Sequence, residues 1–141
     1  MKAYSLYIHI PFCKQKCPYC DFNSYEGKEA LIPAYLDALN KEMRTFGKAL
    51  AKPRLKTIYL GGGTPTVLKP EELAKIMNDI ESNFLVPKDI EATIEANPGT
   101  LNAEKLKELK RINFNRISIG AQSFNNNELA ILGRIQAVLR R

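Results

Sequence analysis

Apolar and polar positions alternate in four separate stretches of this chain. Between those stretches, apolar residues recur every three or four positions. In residues 4–10, Leu6, Ile8 and Ile10 share one face and Tyr7 and His9 the other, the pattern of a strand with one apolar face. Pro11 cannot donate to a ladder and ends it. Residues 56–60 form a short apolar strand that runs into three glycines. Residues 90–97 alternate cleanly, with Ile90, Ala92, Ile94 and Ala96 set against Glu91, Thr93, Glu95 and Asn97; residues 116–121 set Ile117, Ile119 and Ala121 against Ser118, Gly120 and Gln122.

The intervening segments have helical spacing. Residues 31–50 carry a stripe of Ile32, Tyr35, Leu36, Leu39, Met43, Phe46 and Leu50, with Pro33 placed where a first turn tolerates it. Residues 70–84 carry Leu73, Ile76, Met77, Ile80 and Phe84. A third helix starts from Asn102 as N-cap, with Leu106, Leu109 and Ile112 as its buried stripe and Leu101 paired with Leu106 as a staple. A fourth starts at Asn125, with Glu128 three residues on and Phe124 paired with Leu129. Strand then helix, four times over with short connections, is the signature of right-handed parallel crossover units, and so of an α/β fold.

Polar residues complicate that picture. A parallel sheet covered on both sides is apolar on both faces. Here Tyr7, His9, Glu95, Asn97 and Gln122 fall at inward or strand-end positions. A barrel-type sheet resolves this, because ligands use the polar residues at the C-terminal rim of its strands. An unpaired buried carboxylate is too costly, so Glu95 must meet a cation or a set of donors.

Composition narrows the class. The 141 residues are 45% hydrophobic and 26% charged, ordinary for one globular domain. The net charge of +6 is interleaved with Glu, as in residues 105–111, and no nucleic-acid motif is present, so a solvated surface is expected rather than a nucleic-acid partner. No apolar run approaches the ~20 residues of a membrane span. The N-terminus has no signal-peptide pattern. A cytoplasmic protein with no obligate membrane association is the expectation.

The chemistry gathers at Cys13, Cys17 and Cys20, spaced C-x3-C-x2-C, the only cysteines in the chain. An odd cluster of thiols argues against a disulfide framework and for ligation of a soft metal centre. Two centres remain open on spacing alone. One is an iron–sulfur cluster with one iron left without a protein ligand, where a small molecule can bind and react. The other is a zinc site completed by His9. The run Gly61-Gly62-Gly63-Thr64-Pro65 implies that something needs a bare backbone, since three glycines cost about 0.5–1 kcal/mol each relative to Ala. It has neither the lysine of a phosphate loop nor the spacing of a dinucleotide fingerprint.

Taken together, residues 7–13, the cysteine stretch through Cys20-Asp-Phe22 and Gly-Gly-Gly-Thr-Pro resemble radical S-adenosylmethionine (SAM) proteins of the oxygen-independent coproporphyrinogen III oxidase group. The likeness is greatest to its HemW-type, haem-chaperone-like members. The oxidases carry a further cysteine two residues after the third; here that position is Phe22. The resemblance runs from about residue 4 to residue 135. It implies a partial parallel (β/α) barrel of about four strand–helix units. It implies a 4Fe–4S cluster on Cys13, Cys17 and Cys20, reduction of SAM to methionine and a deoxyadenosyl radical, and an electron donor such as a flavodoxin or ferredoxin. SAM contacts fall on Tyr7, Tyr19, Gly62, Gly63, Thr64, Glu95, Gln122 and Arg134. Haem, or a porphyrinogen, is the implied ligand of the complete protein. His9 is expected to be structural. The family is much longer, so residues 1–141 read as the N-terminal part of a radical SAM core domain, with an open strand edge. Residues 136–141 depart from the family pattern, as a fragment or a frame-shifted end would.

Overall fold

The computed structural model describes residues 2–134. The stretch from Gln136 that departs from the resemblance lies outside the described residues. The main sheet has β1 (Ala3–Ile10), β4 (Arg54–Gly62), β5 (Glu91–Ala96) and β6 (Arg116–Ile119), in spatial order β1-β4-β5-β6 and parallel throughout. Each is followed by a helix: α1 (Ile32–Ala49), α2 (Pro70–Asn83), α3 (Ala103–Arg111) and α4 (Asn126–Ile131). Between β1 and α1 lies a two-stranded parallel ladder, β2 (Phe12–Cys13) with β3 (Tyr25–Glu26), which closes the cysteine loop on itself. Alternation does not reveal such two-residue strands, and the sequence did not point to them.

The helices cover one face of the sheet. Ile8, Ile10, Ile58, Leu60, Ala92 and Ile94 are buried there against Leu36, Leu39 and Met43 of α1, Leu73, Ile76, Met77 and Ile80 of α2, and Leu109 of α3. Such burial drives the fold, at about 1.5–3 kcal/mol for each large aliphatic side chain. Pro lies in the first turn of α1 and of α2, as its missing N–H permits. Asn102 caps α3 by accepting from the Lys105 N–H at 2.7 Å.

Four local expectations fail. Phe46 and Leu50 are exposed: their side chains line a groove beside the edge strand β1 rather than entering the core. Leu106 is 42% exposed, so the buried stripe of α3 reduces to Leu109 with a half-buried Ile112. Phe124 is 83% exposed and staples nothing. The Glu128 carboxylate meets the Ser123 hydroxyl, and the Asn125 N–H also goes to Ser123 Oγ, so no capping box forms at α4. Thr93 keeps to the polar side of its strand, as expected, and is wholly buried there, its hydroxyl donating to Glu91 Oε1 at 3.4 Å. Such outcomes depend on the neighbouring elements, and periodicity does not contain them.

β6 has no partner on its outer side among the described residues, and Ile119 there is half exposed. No helix among the described residues is long and apolar enough to cross a membrane.

Candidate functional site

The uncovered face of the sheet carries Tyr7 and His9 of β1, Tyr59 and Gly61 of β4, Glu95 of β5 and Ser118 of β6. Beyond the strands' C-terminal ends lies a cavity of about 220 Å³. Cys13, Cys17 and Cys20 of the cysteine loop, Gly62, Gly63 and Thr64 at the end of β4, and Glu95, Gln122 and Arg134 all line it. Tyr19 and Phe22 also border it. Chain reversals at the strand ends bring these segments together, although up to 121 positions in sequence separate them.

The cysteine loop is held by polar contacts of its own. The Lys16 ammonium donates to the carbonyls of Phe22 and Ser24, each at 3.1 Å, and the Lys16 N–H donates to Glu26 Oε2 at 2.7 Å. His9 Nε2 lies 2.7 Å from the Asn23 carbonyl, and its Nδ1 lies 3.1 Å from the Tyr7 hydroxyl. With Nε2–H donating, Nδ1 accepts from Tyr7, and both ring nitrogens are satisfied. His9 is thus a structural clamp on the loop, as expected of it, and is not held ready as a fourth metal ligand.

The glycine run is not a turn throughout. Gly61 and Gly62 belong to β4, pairing with His9 and Ile10, because the ladder to β1 continues past Leu60. Each glycine makes room for something definite. A Cβ on Gly61 would lie 2.8 Å from the Tyr59 ring and 3.1 Å from the Glu95 carboxylate. One on Gly62, whose φ is +109°, would lie 2.6 Å from His9. One on Gly63 would lie 2.7 Å from the Phe12 carbonyl and 3.0 Å from Cys13 Sγ. The Gly63 and Thr64 N–H groups donate to the Ile10 and Phe12 carbonyls, both at 2.8 Å, so this loop is docked onto the cysteine loop.

Glu95 meets donors rather than solvent alone. Tyr59 donates its hydroxyl to Oε1 at 2.6 Å, and the Gly62 N–H donates to Oε2 at 3.1 Å. That bond holds the Tyr59 hydroxyl above the ordinary tyrosine pKa, with burial and the carboxylate's charge adding to it. Tyr7 is raised too, by burial and then by Glu95. Burial and its bond with Cys17 raise Tyr19, against the lowering effect of Arg134. Arg134 donates from Nη2 to the Gly120 carbonyl at 2.6 Å, and from Nη1 to Cys17 Sγ at 3.4 Å and the Tyr19 hydroxyl at 3.5 Å. Gln122 adopts a left-handed φ of +65° at the rim.

Of the three cysteines and the eight expected SAM contacts, the cavity gathers all but Tyr7. Tyr7 lies lower on the sheet, stacked on Tyr59 with ring centroids 6.0 Å apart. Tyr59 was missed. The strand at residues 56–60 looks uniformly apolar, but Tyr59 sits between Ile58 and Leu60 just as Tyr7 sits between Leu6 and Ile8, and that parity was the available signal. Lys16 and Ser24 were missed because loop contacts leave no periodic trace.

The donor set can be weighed for a metal centre. All three thiols are free. Among the described residues no three His, Cys, Asp or Glu side chains converge closely enough to hold a single ion. Three soft thiols round a shared cavity suit a larger sulfur-bridged centre better than one tetrahedral ion.

The model of the radical SAM superfamily matches residues 7–141. The chain belongs to the radical SAM superfamily. The match continues beyond residue 135, where the family resemblance was read to end. Membership implies SAM and a 4Fe–4S cluster as cofactors. Among curated radical SAM relatives, the haem chaperone HemW of Bacillus subtilis is 46% identical over 132 residues, covering 93% of this chain and 35% of that protein. HemW of Haemophilus influenzae is 43% identical, covering 93% of this chain and 36% of that protein. Among solved structures, the coproporphyrinogen III oxidase HemN of Escherichia coli, described as a radical SAM enzyme, superposes with a TM-score of 0.87 at 34% identity, covering 94% of this chain and 31% of that one. The α/β architecture with a four-stranded parallel sheet thus matches the fold of HemN. The chain spans about a third of the length of the curated relatives it matches.

Proposed function

We propose that residues 1–141 are the cluster- and SAM-binding part of a HemW-type haem chaperone, the N-terminal portion of its radical SAM core domain. The observation that carries this is the single cavity shared by three thiols, a bare glycine backbone and a carboxylate. Cys13, Cys17 and Cys20 hold the cluster, which when bound supplies the electron for SAM cleavage. The Gly62, Gly63 and Thr64 backbone meets the methionine part of SAM. Glu95 accepts from its ammonium. Gln122, Arg134 and Tyr19 border the rest of the ligand, and Tyr7 acts from beneath through Tyr59. The chain's own contribution is orientation and electrostatics.

Haem handling is favoured over porphyrinogen oxidation by two facts. The HemW relatives are 40–46% identical, against 34% for HemN. Phe22, 65% exposed on the cavity wall, stands where the oxidases carry a further cysteine. Haem is the cargo, a flavodoxin- or ferredoxin-like protein the electron donor, and the cytoplasm the compartment. In the test, this segment followed by the rest of a HemW-length polypeptide is given haem, and separately coproporphyrinogen III with SAM under reducing, anaerobic conditions. Haem binding without porphyrinogen turnover is expected. Robust conversion to protoporphyrinogen would instead make it an oxidase.

A further inference from the structure

We infer that Tyr59 is a positioning residue that locks the Glu95 carboxylate in the orientation that receives the ammonium of SAM, with Gly61 keeping the space in which the two meet. The inference rests on the assignment of Glu95 to that ammonium. Tyr59 does not line the cavity; Glu95 does. The Tyr59 hydroxyl reaches Oε1 from below at 2.6 Å, while the Gly62 N–H holds Oε2 at 3.1 Å. One donor on each oxygen fixes the plane of the carboxylate. A glutamate has three rotatable side-chain bonds, and without the hydroxyl that plane is held from one side only. Both donors are neutral, so the carboxylate keeps its full charge for a cation in the cavity.

The position of Tyr59 is itself fixed. Its ring stacks on Tyr7 at an interplanar angle of 25°; the Tyr7 hydroxyl bonds His9 Nδ1, and His9 Nε2 bonds the Asn23 carbonyl three residues after Cys20. A continuous line of contacts therefore joins the ammonium-binding carboxylate to the cysteine loop. A side chain at Gly61 would break it, as would one at Gly62, whose Cβ would lie 2.6 Å from His9. A Cβ on Gly61 would press on the Tyr59 ring at 2.8 Å and on Glu95 at 3.1 Å.

The experiment uses the full chain with its cluster reconstituted anaerobically. SAM and its desamino analogue, in which hydrogen replaces the ammonium, are titrated against the wild type, Tyr59→Phe, Glu95→Gln and the double variant. Tyr59→Phe keeps the stacked ring and removes only the hydroxyl. It is expected to weaken SAM about three- to tenfold, the loss of one hydrogen bond's net contribution, with iron content unchanged and the analogue's affinity unmoved. In the Glu95→Gln background, Tyr59→Phe should add little. If Tyr59→Phe leaves SAM affinity alone while Glu95→Gln weakens it, the positioning role is wrong and the ammonium assignment stands. If Glu95→Gln has no effect either, the ammonium assignment fails and takes the inference with it. Equal weakening of SAM and its analogue, or loss of iron, would make Tyr59 a purely structural residue and overturn the inference.

Discussion

The Arg134 guanidinium lies 3.4 Å from the sulfur of Cys17, 117 positions away in sequence. Its other terminal nitrogen is anchored on the Gly120 carbonyl at 2.6 Å, so the end of the fourth strand–helix unit is tied to the loop that follows the first strand. Next to it, Gly133 approaches Pro18 so closely that a Cβ would lie 2.8 Å from the proline ring. The cysteine loop is thus closed from both ends of the described chain, and a first prediction concerns that closure. Arg134→Met keeps length but removes the charge-assisted donors. SAM binding is expected to weaken about ten- to a hundredfold, since bonds to charged groups contribute about 1.5–3 kcal/mol, with iron per chain unchanged. Isothermal titration beside an iron assay checks both, and full affinity would remove Arg134 from the ligand's surroundings.

The three cysteines should be indispensable together. Anaerobically reconstituted chain is expected to be brown, to hold about four irons, as a single 4Fe–4S centre requires, and to lack tightly held zinc. Cys13→Ala, Cys17→Ala and Cys20→Ala should each abolish the colour. Stoichiometric zinc with little iron, measured by elemental analysis, would sink the cluster assignment.

Lys16 closes the loop on Phe22 and Ser24 through its ammonium. Lys16→Met should leave the thermal midpoint of the cluster-free chain within a few degrees while shortening the lifetime of the reconstituted cluster in air several-fold. Lys16→Arg, which can still reach carbonyls, should recover part of that lifetime. Identical decay of the cluster's brown colour in all three proteins would show that Lys16 does not frame the cluster.

Gly63 is closed to any side chain, because its Cβ position faces the Phe12 carbonyl and Cys13 Sγ. Backbone cannot swing aside as a rotamer does, so Gly63→Ala is expected to cost about 1–3 kcal/mol, as overpacking does, and to lower iron loading as well. Gly27→Ala is the control. Its φ of +67° strains any side chain, but nothing lies within 4 Å of its Cβ position, so only the stability term should move. Urea denaturation gives the first quantity and iron analysis the second.

Tyr59 also gives the sign of a pH effect. The bond to Glu95 raises its pKa above 10, so the folded chain keeps this proton to higher pH than the unfolded chain does. The resulting stabilisation is complete below the unfolded value and is lost as pH rises through the folded one. Urea midpoints of the wild type and Tyr59→Phe should therefore differ at about pH 8 and converge as pH passes about 10. A gap that stays constant across that range would mean the hydroxyl does not hold its proton against Glu95.

By itself the sequence determined the four strand–helix units, the parallel topology, the cluster of three cysteines and the glycine run beside it. Each is a local property. Alternation and helical recurrence follow from which face of one element is apolar, and C-x3-C-x2-C lies within one loop. The sequence also required that Glu95 find donors, because a carboxylate at an inward position cannot stay unpaired. It did not say which donors. Tertiary structure alone decided that they are Tyr59 and the Gly62 N–H, that Arg134 reaches Cys17, and that Tyr7 lies beneath the cavity rather than in it. It also exposed Phe46, Leu106 and Phe124 and buried Thr93. Those outcomes depend on strand register, on what each helix packs against and on which strand is left at an edge. Register pairs Gly61 with His9 and sets Tyr59 beside Thr93; a slip of one residue would turn Tyr59 and Gly61 to the helix-covered face. No periodicity within one strand carries that information, because it belongs to the contact between two.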